Sequence, residues 1–83
     1  MTNLDRKIIR YRLIDQHRAL VRAGSYGVAE LVLRLLRRGH VSLGLWDDAC
    51  EAEQVLTAAG LNPHYSRNGN RAMFYLAREV DLA

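Results

Sequence analysis

An apolar repeat in the middle of the chain constrains the fold more than any other feature. Five apolar side chains recur at the i, i+3, i+4, i+7 and i+8 positions that share one helix face: Val28, Leu31, Val32, Leu35 and Leu36. Gly39 follows directly after two arginines, and glycine commonly ends a helix. The pattern therefore predicts a helix from Val28 to Arg38 with one buried face.

A longer helix is predicted before this one, from about Leu4 to Ala23. Asn3 is positioned to cap its N-terminus, because an asparagine oxygen can accept an unpaired backbone N–H. Its expected buried stripe consists of Ile9, Leu13 and Leu20. A glycine-containing turn over residues 24–27 would then separate the two helices.

The second half of the chain predicts a short strand, a third helix and a β-hairpin. The strand covers His40 to Ser42, and the helix runs from about Leu43 to Ala59 with a break near Gly44. Asn68-Gly69 is the preferred dipeptide of a two-residue type I′ turn. With this turn as the centre, Tyr65 lies opposite Ala72.

These elements indicate one α+β domain over residues 1–83. A chain of 83 residues buries a limited core, so a dimer interface is a common addition. Cys50 is the only cysteine, which favours a reducing compartment, and we expect a cytoplasmic protein. No apolar run approaches the ~20 residues that cross a bilayer, so we expect no membrane partner.

Charge is distributed unevenly along the chain, whose net charge is +3. Residues 1–24 carry six basic and two acidic side chains, whereas residues 47–60 carry four acidic and no basic ones. The sequence therefore predicts a basic surface together with one acidic helix. A basic surface favours a nucleic-acid partner.

Two segments resemble winged-helix regulators of the helix-turn-helix superfamily. Residues 28–42, VAELVLRLLRRGHVS, are similar to the first helix and strand of that family. Residues 55–61, VLTAAGL, followed by the hairpin ending in MFYL, are similar to the end of its recognition helix and its wing. The resemblance covers residues 28–77 and implies transcriptional regulation by DNA binding. It also implies that residues 1–24 form an additional, dimerising helix.

The chain departs from the family between the first strand and the end of the recognition helix. Residues 43–54 have room for one helix, where the family places two, and four carboxylates lie in residues 47–53. Phosphates would repel these carboxylates. The resemblance thus implies contacts through the hairpin and other basic residues.

The candidate ligands of double-stranded DNA form three groups. They are Lys7, Arg10, Arg18 and Arg22 on the first helix, Arg34, Arg37 and Arg38 on the second, and Arg67, Asn68, Asn70 and Arg71 in the hairpin. Each group also has a structural interpretation. The residues of the first helix can form its solvated face, and the arginines of the second helix suit the charge of its C-terminus. The hairpin residues can serve the backbone conformation of the turn. The pattern alone leaves both interpretations open.

A protein-binding accessory factor, such as an inhibitor or adaptor of phage or plasmid type, is the alternative function. Its binding surface would be the acidic helix over residues 47–59, with Trp46, Asp47, Asp48 and Glu51 as the contact residues. Tryptophan is enriched among residues that dominate binding energy. The structural interpretation is a buried tryptophan and carboxylates that suit a helix N-terminus.

A small-molecule-binding or catalytic domain is the third hypothesis. The sequence argues against it. His17, His40, His64 and Cys50 lack the spacing of metal ligands. Cys50 lies among carboxylates rather than beside the cations that favour a thiolate nucleophile. We therefore predict no catalytic residues, no metal and no cofactor.

Overall fold

A computed structural model describes residues 2–44 and 47–76, which form three helices and a three-stranded sheet. In chain order the elements are α1 (Asn3–Arg22), α2 (Tyr26–Arg38), β1 (His40–Leu43), α3 (Asp47–Ala58), β2 (His64–Tyr65) and β3 (Ala72–Tyr75). The α+β class is confirmed, and so is the expected order of helix, strand, helix and hairpin after the first helix. Within the described ranges, no helix combines the length and apolar content needed to cross a membrane.

Helix α1 begins with a reciprocal cap between Thr2 and Asp5. Thr2 Oγ1 accepts the Asp5 backbone N–H at 3.1 Å, and Asp5 Oδ2 accepts the Thr2 backbone N–H at 3.1 Å. The prediction that Asn3 is the cap is therefore wrong, since Asn3 is the first helical residue. The capping box satisfies two backbone donors where a single asparagine cap would satisfy one.

A tight connection joins α1 to α2. The Ser25 N–H donates to Leu20 O at 2.9 Å, and Gly24 supplies the left-handed backbone with φ of 80°. This geometry ends α1 in the usual C-terminal motif. The predicted turn over residues 24–27 is too long, because α2 already begins at Tyr26.

The sheet is antiparallel with the strand order β1-β3-β2. Tyr65 pairs with Ala72, which confirms the predicted hairpin register. Strand β1 extends one residue beyond the prediction, to Leu43, which pairs with Ala72 from the other side. Helix α3 consequently starts at Asp47 rather than Leu43.

The predicted type I′ turn at the hairpin is wrong. Gly69 has φ of 69°, but no other residue type in the described ranges has positive φ, so Asn68 cannot adopt the required conformation. Instead, Gly69 N–H donates to Ser66 O at 2.9 Å, and Ser66 N–H donates to Arg71 O at 3.0 Å. The connection is a four-residue loop over residues 67–70.

The helices cover one face of the sheet and form the core with it. Buried core residues on α1 are Ile9, Leu13 and Leu20, which confirms the predicted stripe. The predicted face of α2 is buried at Val28, Leu31, Val32 and Leu35, and Leu36 packs against the core from a partly buried position. In α3 and directly after it, the buried residues are Ala49, Ala52, Leu56 and Ala59. From the sheet, Val41, Leu43, Ala72 and Phe74 point inward. The side chains between them on β1 and β3 therefore form an opposite face, away from the helices.

Candidate nucleic-acid interface

The hairpin loop is organised around the Ser66 hydroxyl. Ser66 Oγ accepts the Arg71 backbone N–H at 3.2 Å. Its hydrogen is shared between Oδ1 of Asn68 at 2.9 Å and Oδ1 of Asn70 at 3.1 Å. Asn68 Oδ1 also accepts the Asn70 backbone N–H at 3.4 Å. Both asparagines are exposed, and because their amide oxygens are engaged within the loop, their NH₂ groups are the donors that they can offer to a ligand.

Two exposed arginines flank these amides. Arg71 Nη1 donates to Ser42 Oγ on β1 at 3.4 Å, so its side chain lies across the sheet. A guanidinium has five N–H donors, and one such bond leaves others for a ligand. Arg67 is exposed within the loop. We call Arg67, Asn68, Asn70 and Arg71 the hairpin group, since the structure brings these predicted residues together.

The three predicted arginines of α2 lie elsewhere. Arg34, Arg37 and Arg38 are exposed, and Arg38 precedes the His40 end of β1. His40 pairs with Tyr75, whereas the hairpin loop continues from the opposite end of β3, at Ala72. The four residues of β3 span about 10 Å between these ends. The α2 arginines and the hairpin group therefore do not form one patch.

The predicted stripe on α1 is exposed, but one of its members stabilises the fold. The stripe comprises Lys7, Arg10, Arg18 and Arg22. Arg10 Nη1 donates to Leu36 O at 3.2 Å, a carbonyl in the last turn of α2. Such terminal carbonyls have no partner within their own helix. Arg22 Nε also approaches Arg18 O, at 3.4 Å.

Arg12 has a corresponding role at α3 that sequence reasoning did not identify. Its Nη1 donates to Ala59 O at 3.3 Å, just beyond the end of α3. Two arginines of α1 thus bind the C-terminal carbonyls of two different helices, where a cation is favoured. Helical periodicity alone cannot reveal such contacts, because they depend on how the helices pack.

The Asp48 carboxylate, predicted as part of a protein-binding surface, contacts α2. A methyl group added to Gly27 would overlap this carboxylate, so Asp48 lies against the first turn of α2. The side chain of Ser25, within the described part of the chain, makes no capping bond at this end. A carboxylate near a helix N-terminus is favourable, and Asp48 supplies one there.

Glu53 on α3 is also engaged with the rest of the domain. The hydroxyl of Tyr65 donates to Glu53 Oε1 at 2.5 Å, which ties edge strand β2 to α3. This hydrogen bond raises the pKa of Tyr65. Glu51 is exposed. Trp46 and the side chain of Asp47 lie outside the described residues.

The solvent-facing side of the sheet carries polar and aromatic side chains to which sequence analysis gave no function. They are His40, Ser42, His64, Met73 and Tyr75. The hydroxyl of Tyr75 donates to Met73 Sδ at 3.5 Å. The ring centroids of His64 and Tyr75 are 5.4 Å apart, with planes inclined by 70°. The predicted hairpin register already places His64, Met73 and Tyr75 on one face, whereas the addition of His40 and Ser42 follows from the pairing of β1 with β3.

Neither a metal site among the described residues nor a relative indicates a function for the domain. In the part of the chain that the structure describes, no three His, Cys, Asp or Glu side chains group as a metal site would require. Comparisons with protein-family models, curated proteins and solved structures found no match for the chain. Functional inference therefore depends on the geometry of the chain itself.

Proposed function

We propose that this chain is a small, winged-helix-type regulator in the cytoplasm that binds double-stranded DNA through the hairpin group. The observation that carries the proposal is the Ser66-centred network. It presents two amide donors beside two exposed arginines on one short loop. Preorganised cationic and amide donors suit phosphate oxygens and groove edges. The proposal assigns no catalytic residue, metal or cofactor.

The minor groove matches the donors of the hairpin group. Its floor presents the acceptors adenine N3 and thymine O2, and arginine and asparagine are common ligands there. The loop carries arginine and asparagine side chains and no carboxylate over residues 66–71. Recognition by this loop would favour A·T-rich sites and would include a large phosphate contribution.

The charge of α3 argues that this helix does not enter the major groove. Asp48 and Glu51 are exposed, and residues 47–60 contain no basic side chain. The proposed orientation therefore places the hairpin towards DNA and α3 away from it. The positive potential near the DNA would be raised by Arg37 and Arg38 at the other end of the sheet, together with Arg18 and Lys7. These residues would not determine the position of the protein along the DNA.

The proposed regulator acts as a homodimer that associates through α1. Leu4, Ile8 and Tyr11 follow an i, i+4, i+7 spacing and are 67%, 42% and 69% exposed. They lie on the side of α1 opposite to its buried stripe. A symmetric dimer would present two hairpins to two half-sites on the same duplex.

Paired arginine substitutions test the proposal. Arg67→Ala with Arg71→Ala should weaken binding to labelled duplex DNA at least about ten-fold, and should reduce the magnitude of the slope of log affinity against log salt by about two per protomer, or about four for the proposed dimer. Arg18→Ala with Arg22→Ala removes the same charge from α1 and is the matched control. Equal losses in both double variants would mean that charge alone, rather than the hairpin, determines binding.

A protein-binding accessory factor remains the second candidate, favoured by the exposed carboxylates of α3. This alternative predicts that the hairpin substitutions have no effect on binding of the biological partner. It also predicts that the wild-type protein binds poly-lysine and that Asp48→Lys with Glu51→Lys abolishes this binding. Retention of poly-lysine binding by that variant would exclude α3 as the docking surface.

A further inference from the structure

The outer sheet face, defined as the side chains of His40, Ser42, His64, Met73 and Tyr75, is not used by the duplex proposal. On β1 and β3 these residues alternate with core residues, and His64 pairs with Met73, so they project from the side of the sheet that the helices do not cover. Tyr75 is 37% exposed although it belongs to the central strand. Side chains from all three strands therefore share one accessible surface.

The rings of this face have a defined arrangement. The Tyr75 hydroxyl reaches Met73 Sδ, two positions back on the same strand and face. The phenol hydroxyl is therefore directed back along β3, and the Tyr75 side chain is partly exposed to solvent. His64 lies beside it on β2, with its ring inclined by 70° to the phenol plane. A flat aromatic surface is thus bordered by a steeply inclined imidazole.

Within β1, β2, β3 and the hairpin loop, the charged side chains are arginines and no carboxylate is present. Arg71 of the hairpin group lies at the edge of the outer sheet face, where it reaches Ser42. Residues 61–76 include two arginines and no carboxylate. Arg37 and Arg38 lie beyond the opposite end of the sheet. An anionic ligand that also carries flat rings complements this combination of charge and aromatic surface.

We propose that the outer sheet face binds single-stranded nucleic acid, with an unpaired base stacked on Tyr75 beside His64 and a neighbouring phosphate on Arg71. Base stacking on aromatic side chains and a cationic path for the backbone are the two components of such binding. A paired duplex cannot supply this contact, because its bases are already stacked on one another. The inference rests on the proposed nucleic-acid-binding function, but its ligand is single-stranded rather than double-stranded.

The dimensions of the face limit the length of strand that it holds. Arg71 and Tyr75 are four positions apart along the chain, which corresponds to about 13 Å of strand. Stacked nucleotides repeat about every 3.4 Å, so the face accommodates roughly two to four. Binding would be tolerant of sequence, because every base offers an aromatic surface.

Substitutions at Tyr75 test the inference. Labelled oligo-dT and oligo-U of about 12 nucleotides, and a duplex of equal length, would be titrated by fluorescence anisotropy. Tyr75→Leu should weaken binding to the single strands by about 5- to 100-fold, whereas Tyr75→Phe keeps the ring and should bind like the wild type. Tyr26→Leu removes an exposed tyrosine that belongs to α2 rather than to the sheet, and should have no effect. None of these changes should alter duplex affinity.

The outcomes separate this inference from the duplex proposal. Duplex binding without single-strand binding, or equal single-strand binding by wild type and Tyr75→Leu, would overturn the inference and leave the duplex proposal intact. Ring-dependent single-strand binding without duplex binding would support the inference and reject the duplex proposal. The ratio of oligo-dT to oligo-U affinity would identify DNA or RNA as the preferred ligand. If Tyr75→Leu does not fold, the single-strand affinity of His64→Leu would be compared with that of the wild type instead. Thermal unfolding of His64→Leu would show that this variant is folded.

Discussion

Asp5 shows how one carboxylate can link pH to the stability of α1. The backbone N–H of Thr2, with a further contribution from its hydroxyl, lowers the pKa of Asp5 below its ordinary value of 3.8. A carboxyl group with a lowered folded-state pKa stabilises the fold above its unfolded-state pKa. That stabilisation is lost as pH falls through the lower folded-state value.

We therefore predict that Asp5→Asn lowers the thermal midpoint at pH 7, and that this effect disappears as the pH falls through the lowered folded-state pKa of Asp5 and its carboxyl group becomes protonated. Thr2→Ala removes the hydroxyl partner and should cost about 1 kcal/mol at neutral pH. Thermal unfolding followed by circular dichroism across this pH range provides the measurement. A difference between wild type and Asp5→Asn that persists unchanged in acid would argue against the capping role.

The contact between Gly27 and Asp48 gives a second prediction at the residue scale. Gly27→Ala alone should be neutral or destabilising, because the new methyl group displaces the Asp48 carboxylate. In an Asp48→Ala background the same change should stabilise the protein by about 0.5–1 kcal/mol, since alanine is the better helix former. Denaturant unfolding of the four proteins measures the coupling. Additive effects would mean that the two residues do not interact.

Among the elements, the hairpin depends most on side-chain hydrogen bonds. Ser66→Ala removes the hydroxyl that joins Asn68, Asn70 and Arg71. We expect duplex affinity to fall several-fold while the thermal midpoint changes little, because the exposed loop contributes little to the core. Ser42→Ala is the control, since it removes one bond to Arg71 and leaves the loop network in place. A larger loss of duplex affinity in Ser42→Ala than in Ser66→Ala would mean that the contact of Arg71 with the sheet matters more for binding than the loop network.

The elements differ in how far sequence determines them. Helix α2 was predicted to within two residues, because an uninterrupted apolar repeat and Gly39 define it. The hairpin register was also predicted, since a hairpin centred on Asn68-Gly69 places Tyr65 opposite Ala72. The predicted turn type was wrong, because the loop conformation follows from the Ser66-centred hydrogen bonds. The contacts of Arg10 and Arg12 could not be predicted from sequence either, because their partners lie in or next to helices distant in sequence.

At the scale of the whole molecule, α1 is apolar on two sides. One side enters the core at Ile9 and Leu13, and the other exposes Leu4, Ile8 and Tyr11. The proposed dimer predicts that sedimentation equilibrium at micromolar concentration gives twice the mass of the chain. Ile8→Glu should return the mass to that of one chain without unfolding it. A monomeric wild-type protein would reject association through α1.

The two proposed nucleic-acid contacts lie on one hairpin and one sheet, which places them on the same part of the molecule. The hairpin group uses the loop at one end of β3, and the outer sheet face begins beside it at Arg71. Sequence alone identified the loop residues from their type and position. It did not identify the sheet surface, because that surface combines residues from β1, β2 and β3.

The most direct test of the central claim is the anisotropy of labelled duplex DNA titrated with wild-type protein across a salt series. Binding through the two hairpin arginines should weaken as salt increases, with a log–log slope of about −2 for a monomer and about twice that for a dimer. Such a result would establish a phosphate-dependent interface. Absence of duplex binding at low salt, or binding that does not change with salt, would contradict the proposed function.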